Sequence, residues 1–288
     1  MSLPSVSIIT PTYNRAHTLA RTINSVLAQS ISDWELVIVD DGSTDNTKDL
    51  VESYEDSRVR YYRQERKGVS AARNKAVSLA ESEWVAYLDS DNILFPNYLE
   101  RMFAHIAKNK GAVFSFPKGE RLLELWIEGE LVERIDESRE FADEITVCDI
   151  VHRKLHTDGN GLMHLRRVFG KDVCFDEKIS GMEDWDFLLT LCQKYSNDFV
   201  YVPETLYSYS QRFGGDSIVS NTSYRKWAEM FEFIFQKHKN DALMRGQQWY
   251  PDRVQKWNEL ADRFDRGEIP PYHLWHFKNH WPIQYISV

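Results

Sequence analysis

Apolar residues along this chain come in short runs separated by stripes at helical spacing. Val6 to Thr10 and Leu36-Val37-Ile38-Val39 have the length and composition of buried strands. Between them Leu19, Ile23, Val26 and Leu27 mark one face of a helix. Asp45-Asn46-Thr47 can cap a helix carrying Leu50, Val51 and Tyr54. Val59 to Tyr62 predicts a short strand, Gly68 to Ala80 an alanine-rich helix, and Trp84 to Leu88 a further strand. Pro96 suits a helix start ahead of Leu99, Met102, Phe103 and Ile106, and Ala112 to Phe116 predicts another strand. Strands separated by helices imply an α/β fold with a mostly parallel sheet and right-handed crossovers.

The second half is less regular. Leu122 to Ile135 predicts a hairpin turning near Glu128-Gly129, and Gly161 to Phe169 a strand. Gly181 to Trp185 leads into a helix with Phe187, Leu188, Leu191 and Cys192 on its apolar side. Phe199 to Val202 and Leu206 to Ser210 predict closing strands. From about Asn221 the pattern changes to two helical stripes, Trp227-Met230-Phe231-Ile234-Phe235 and Val254-Trp257-Leu260-Ala261-Phe264.

Composition narrows the function classes. The 288 residues are 42% apolar, which supports one large domain or a domain plus an extension. A net charge of -9 argues against a nucleic-acid surface but leaves room for phosphates held through a metal ion. Cys148, Cys174 and Cys192 are odd in number and lack C-x-x-C spacing, so a reducing, cytoplasmic setting fits better than a disulfide framework. We expect no transmembrane helix and no signal peptide, because the longest apolar runs span only a few residues.

In open α/β sheets, ligands collect at the carboxyl ends of strands. Three junctions of this kind carry polar chemistry: Thr10-Pro11-Thr12-Tyr13, Asp40-Asp41-Gly42-Ser43 and Asp89-Ser90-Asp91. Asp89 and Asp91, spaced i, i+2 after an apolar strand, share one side of it and suit a hard divalent cation with its phosphate oxygens. Taken alone this pattern is weak, and Asp184-Trp185-Asp186 also matches it. The first junction lacks the glycines of a phosphate-cradling loop. Its Tyr13 offers a ring face to a base or packs in a loop. Asp40 can accept a hydrogen bond from a base imide such as that of uracil. Ser43, Thr44 and Asp45 read as turn and helix cap, and Asn92 as a turn residue.

Together, Ser7 to Arg15, Val37 to Asp45, Gly68-Val69-Ser70-Ala71-Ala72-Arg73-Asn74 and Leu88-Asp89-Ser90-Asp91 resemble family 2 glycosyltransferases, in the order that family shows. Glu183-Asp184-Trp185 is similar to its later Glu-Asp motif, and the resemblance runs over about residues 4–212. It implies a GT-A fold, a nucleotide-sugar donor such as a UDP-sugar, a Mn²⁺ or Mg²⁺ ion, and inversion at the anomeric carbon. The processive Gln-x-x-Arg-Trp signature is absent, which favours transfer of one sugar. We expect a glycosyltransferase domain over 1–219, with a nucleotide-binding half at about 1–116 and an acceptor half at about 117–219. An aromatic-rich helical extension follows over 220–288.

By this resemblance the donor site takes in Thr10, Pro11, Thr12, Tyr13, Arg15, Asp40, Arg73, Asp89, Ser90 and Asp91. Asp89 is expected on the ribose side and Asp91 as the direct metal ligand. Inversion also needs a base on the face opposite the leaving diphosphate, and Asp184 is the candidate. Glu183 is expected to contact acceptor or orient its neighbour, though both acids could simply cap the following helix. Trp185 either stacks on a sugar or packs in the core, and Asp186 reads as structural. Tyr209-Ser210-Gln211-Arg212 stands where many relatives place a late His or Arg. Arg212 there is either a diphosphate contact or a solvated loop residue, and His156, His164, Arg166 and Arg167 are weaker candidates.

Expected partners are the nucleotide-sugar donor and a carbohydrate or lipid-linked acceptor, in polysaccharide or glycoconjugate synthesis, with no nucleic acid. The rival readings are a non-catalytic nucleotide-sugar-binding or scaffolding protein of the same fold and, less favoured, a sugar-phosphate nucleotidylyltransferase. The first of these has no need of Asp40, Asp89, Asp91 and Asp184 together. The tail beyond residue 219 has ten Lys+Arg against eight Asp+Glu. Trp275, Lys278, Trp281 and Tyr285 are suited to an interface, so peripheral contact at the inner membrane face and a homodimer both stay open.

Overall fold

A computed structural model describes residues 5–127, 130–136, 145–147, 149, 159–213, 222–245 and 248–270. Expectations for Glu128-Gly129, Cys148, His156 and the segment Tyr272 to Tyr285 lie outside these residues. The chain divides into two compact units, one of residues 1–121 and 137–210, the other of 122–136 and 211–288.

In the first unit, β1 (Val6–Thr12) and β2 (Trp34–Asp40) are buried at every position and run parallel in register, Val6 against Trp34 through Thr12 against Asp40. β3 (Val59–Arg63) lies parallel to β2, and β4 (Trp84–Tyr87) lies parallel to β1 on its other side. Full burial explains why β1, β2 and β4 read as apolar runs rather than as alternation, whereas β3 at the sheet edge is half-buried to exposed. Helix α1 (Ala16–Leu27) buries Leu19, Ile23 and Val26, as its stripe predicts. α2 (Thr47–Glu52) follows β2. α3 (Val69–Leu79) packs on β1 and β2, and its buried Ala71, Ala72 and Ala76 permit that close approach.

Beyond β4 the sheet changes character. Its order is β3-β2-β1-β4-β8-β6-β9-β5. Here β5 is Ile93–Leu94, β6 Phe114–Ile127, β8 Met163–Leu165 and β9 Phe199–Phe213. β8 is antiparallel to both β4 and β6, and β5 is antiparallel to β9. The sheet is therefore mixed, parallel only through its first four strands, where crossover helices separate the strands in sequence. The two expected closing strands form one long strand through Pro203. The expected strand at Gly161 to Phe169 keeps three residues before a 3-10 turn at Arg166–Val168. α4 (Tyr98–Lys108) and α5 (Glu183–Tyr195) complete the unit's regular elements among the described residues.

In the second unit the outer part of β6 pairs with β7 (Glu130–Asp136), from Leu122 against Asp136 to Ile127 against Glu130. The fully buried Glu124 accepts from Arg134 at 2.7 Å. Helices α6 (Tyr224–His238) and α7 (Trp249–Asp265) pack together. Their aromatic stripes cover one another: Trp257 stacks on Trp227 and Phe231 at 5.6 and 5.9 Å between centroids. Tyr250 donates to the Phe231 carbonyl at 3.1 Å. No helix among the described residues is long and apolar enough to cross a membrane.

Candidate active site

The carboxyl ends of β1, β2 and β4 and the start of α5 hold most of the residues singled out by sequence, all within the first unit. At the end of β2, Asp40 is buried. Its Oδ1 accepts from the Ser43 N–H at 2.7 Å and its Oδ2 from the Tyr61 hydroxyl at 2.5 Å. Burial, together with the Asp40 carboxylate beside it, pushes the Tyr61 phenol far above its usual range. Asp41, also buried, accepts from Gln64 Nε2, the Lys67 N–H and the Gly68 N–H at 2.7–2.8 Å. It thus pins the loop that opens α3. Ser43 Oγ accepts from the Asn14 N–H, and Asp45 accepts from the N–H groups of Ala16 and Thr47 at the starts of α1 and α2. These residues form the turn and caps expected of them.

At the end of β1, Thr10, Pro11 and Thr12 are buried and Tyr13 is half-buried. The Thr10 and Thr12 hydroxyls have no hydrogen-bond partner among the described residues. Tyr13 carries the Arg66 guanidinium over its ring, 4.1 Å from the centroid.

Arg73 is where the structure adds most to the sequence reading. Rather than standing as a solvated helix charge, it is 4% exposed on the inner side of α3. Its Nη2 donates to Asp89 Oδ1 and its Nη1 to Glu183 Oε1, each at 2.7 Å. Burial alone would lower its pKa, but the charges of Asp89, Glu183 and Asp184 outweigh this and hold the guanidinium protonated. Asn160, which sequence reasoning passed over, completes the arrangement. Fully buried, it accepts from the Asp89 N–H at 2.7 Å and donates to Asp89 Oδ2 at 3.2 Å. Its signal was there in the flanking pair Gly159 and Gly161. A Cβ on Gly159 would sit 3.3 Å from Asp184 Cβ, and Gly161 has φ +74.

Asp91 lies with Oδ2 4.0 Å from Arg15 Nε, and its backbone carbonyl accepts from Arg21. Ser90 is buried. Asn92 does more than turn the chain: its side-chain oxygen accepts from the Ser210 N–H and its carbonyl from the Thr22 hydroxyl, both at 2.8 Å. This ties the strand-end turn to α1 and β9.

At α5, Gly181 and Met182 take left-handed backbone, φ +99 and +61, to turn the chain into the helix. Glu183, Asp184 and Asp186 occupy its first turn, where the helix dipole favours carboxylates. Glu183 Oε2 also accepts from the Gly181 N–H. Asp184 is half-buried, accepting from the Trp185 N–H at 2.7 Å and the Gly159 N–H at 3.1 Å. Trp185 and Asp186 are fully buried, so the Trp185 ring offers no face to solvent. His164 is also a core residue, between the Tyr87 hydroxyl and the Leu165 carbonyl, and Arg166 ties to the Ser82 carbonyl. Arg212, buried on β9, belongs to the second unit.

Among the described residues no group of three or more His, Cys, Asp and Glu could cage a metal ion. Asp91, about one-fifth exposed at its side chain, has the chemistry of a single hard ligand. That suits an ion completed by diphosphate oxygens and water, the way Mg²⁺ is commonly held, better than an all-protein site.

Known proteins similar to this chain are glycosyltransferases. A family model, Glycosyl transferase family 2, matches residues 7–158. The Escherichia coli UDP-Glc:alpha-D-GlcNAc-diphosphoundecaprenol beta-1,3-glucosyltransferase WfgD is 44% identical over 105 residues, 36% of this chain and 42% of that protein. The Bacillus subtilis putative teichuronic acid biosynthesis glycosyltransferase TuaG is 42% identical over 116 residues, 39% of this chain and 46% of that one. These matches thus span less than half of each relative. Glycosyltransferase GlyG of Streptococcus pneumoniae is 24% identical but aligns over 89% of this chain and 87% of its own. S. aureus TarS 1-349 in complex with UDP-GlcNAc superposes with TM-score 0.65 at 24% identity, covering 83% of this chain and 67% of that one, which establishes the GT-A type of fold. With more than half of its residues matched by the family model, this chain belongs to glycosyl transferase family 2.

Proposed function

We propose that the chain transfers one sugar from a UDP-sugar to an acceptor hydroxyl, with inversion at the anomeric carbon. The observation that carries this reading is the buried Arg73 bridge, which draws the strand-end Asp89 and the helix-start Glu183 into one acidic cluster. Relatives point the same way. WfgD is named for a UDP-glucose donor and a diphosphoundecaprenol-linked acceptor, and TarS was crystallised with UDP-GlcNAc. They favour a lipid-linked or carbohydrate acceptor in cell-surface polysaccharide synthesis.

In this reading Tyr13 stacks on the base. Asp40, whose two oxygens each take one donor here, keeps lone pairs for the base imide. Asp89 binds the ribose and, with Asp91, stands where Mn²⁺ or Mg²⁺ would be held. That ion would supply charge neutralisation for the departing diphosphate. Asp184 faces the acceptor. As the acceptor oxygen bonds to the anomeric carbon and the bond to UDP breaks, the hydroxyl proton passes to its carboxylate. The Gly159 and Trp185 N–H groups hold that carboxylate in place. Arg73 and the Gly181 N–H orient Glu183 beside it. Trp185 supports this turn from the core.

A panel of UDP-sugars with Mn²⁺, assayed for released UDP and repeated with candidate acceptors, tests the proposal. UDP release from one sugar, raised by an acceptor, is the expected result. Binding of UDP without release from any of them would favour a non-catalytic binding protein instead.

A further inference from the structure

The loop Gln64 to Gly68 is held through its backbone and carries three exposed side chains, Glu65, Arg66 and Lys67. Asp41 takes the Lys67 and Gly68 N–H groups and the Gln64 side chain, which clamps the chain on both sides of Arg66. The loop also lies directly on the Asp41-Gly42 turn. Gly42 has φ +87, and a Cβ there would be 3.3 Å from the Arg66 nitrogen. The Arg66 side chain is exposed, yet it does not extend into water. Its guanidinium lies over Tyr13, 4.1 Å from the ring centroid.

This is a costly use of a long exposed side chain unless the ring needs holding. Tyr13 is half-buried and sits one residue past Thr12, which is paired in register with Asp40. An aromatic ring at a loop start has rotamers to spare. A planar cation on one face restricts them, and a second flat group can then stack only on the opposite face. Asp41 and Asp40 are consecutive, so one turn both carries the base-recognising carboxylate and fixes the loop that delivers Arg66.

We infer that Arg66 is a donor-positioning residue that backs the Tyr13 ring, so that guanidinium, phenol and nucleobase form a three-layer stack. The inference rests on the nucleotide-sugar reading above. It assigns Arg66 to the nucleoside end of the donor, not to the diphosphate, although a loop arginine near a nucleotide would ordinarily be given to phosphate.

Calorimetric or NMR titration with uridine, UMP and UDP separates these roles. For Arg66→Ala, affinity should fall by about two- to fivefold for all three ligands alike, and Arg66→Lys should recover part of it. The double variant Arg66→Ala/Tyr13→Leu should lose no more than Tyr13→Leu alone. A loss that grows from uridine to UDP would place Arg66 on the phosphates and overturn the inference. Unchanged affinities would reduce the pair to a surface contact, and tighter uridine binding would mean that Arg66 occupies the base position; either result also overturns it. Failure of the unmodified protein to bind any of the three would count against the nucleotide-sugar reading itself.

Discussion

Arg73 Nη2 donates to Asp89 Oδ1 at 2.7 Å, and the same guanidinium reaches Glu183 110 residues further along the chain. A buried cation between two carboxylates tolerates truncation of any one member poorly, because the remaining charges stay desolvated. Arg73→Met should therefore lower stability by about 3–5 kcal/mol. Arg73→Lys, a single-point donor in place of a fork, should melt several degrees lower and lose turnover at least about tenfold. Thermal melts beside UDP release would check both. A Lys variant with normal turnover would show that the fork geometry does not matter.

Asp184 has both carboxylate oxygens on backbone N–H groups. In Asp184→Asn the amide oxygen can keep one of those bonds while the amide nitrogen cannot accept the other. The fold should survive with a small loss. UDP affinity should stay within about twofold, while turnover falls by about two to four orders of magnitude. Near-normal turnover would assign the base elsewhere.

Asp91 is expected to make UDP binding metal-sensitive. Titration of UDP with Mn²⁺ and then with a chelator should show tighter binding in the first case. Asp91→Ala should make the two curves coincide. Equal affinities in the unmodified protein would exclude a metal-bridged diphosphate.

How much of this was legible in the sequence depends on which forces set each part. The parallel half was readable because three of its four strands, β1, β2 and β4, are buried on both faces and so become plain apolar runs, as in Leu36 to Val39. The antiparallel half was legible only in part: the hairpin from Leu122 and the closing strands from Phe199 and Leu206 are there, in β6, β7 and β9, but the order in which they pair was not. β5 has two residues and β8 three, too short for any periodicity, and they are fixed by partners distant in sequence, Tyr207 and Ser208 for β5. At the site, short acid motifs gave the positions of Asp40, Asp89, Asp91 and Asp184. They could not show that Arg73 faces inward, because an arginine on an alanine-rich helix looks the same whether solvated or bridged. For Asn160 the flanking glycines mark a tight turn but not its partner, because Asp89 is 71 residues away.

Gly119 offers a packing test. A Cβ there would lie 2.2 Å from Tyr207 Cζ, and Tyr207 is itself 2% exposed, so the ring has little room to move. Gly119→Ala should cost about 1–3 kcal/mol through overpacking. Gly170→Ala, with nothing within 4 Å, should be close to neutral. Denaturant midpoints that fall equally for both variants would contradict this account.

His164 sets a pH limit from inside the core. Burial pushes its pKa down to about 4, only partly offset by the hydrogen bond to the Leu165 carbonyl. Since that carbonyl can only accept, Nδ1 carries the proton and Nε2 accepts from the Tyr87 hydroxyl at 2.8 Å. The native protein thus holds a neutral imidazole where the unfolded chain takes up a proton below pH 6.5, the ordinary value. The sign follows. The stability from this group is complete above about pH 6.5, declines as pH falls toward 4, and declines no further below that. The total is on the order of 3 kcal/mol, at roughly 1.4 kcal/mol per pH unit. Tyr87→Phe/His164→Leu removes the titrating group and its hydrogen-bond partner together, so no orphaned hydroxyl confuses the result. Denaturant unfolding of the original and double-variant proteins from pH 4 to pH 8 should show the original losing about 3 kcal/mol relative to the variant as pH falls from 6.5 to 4. Parallel curves across that window would show that His164 titrates normally and that the core admits its charge.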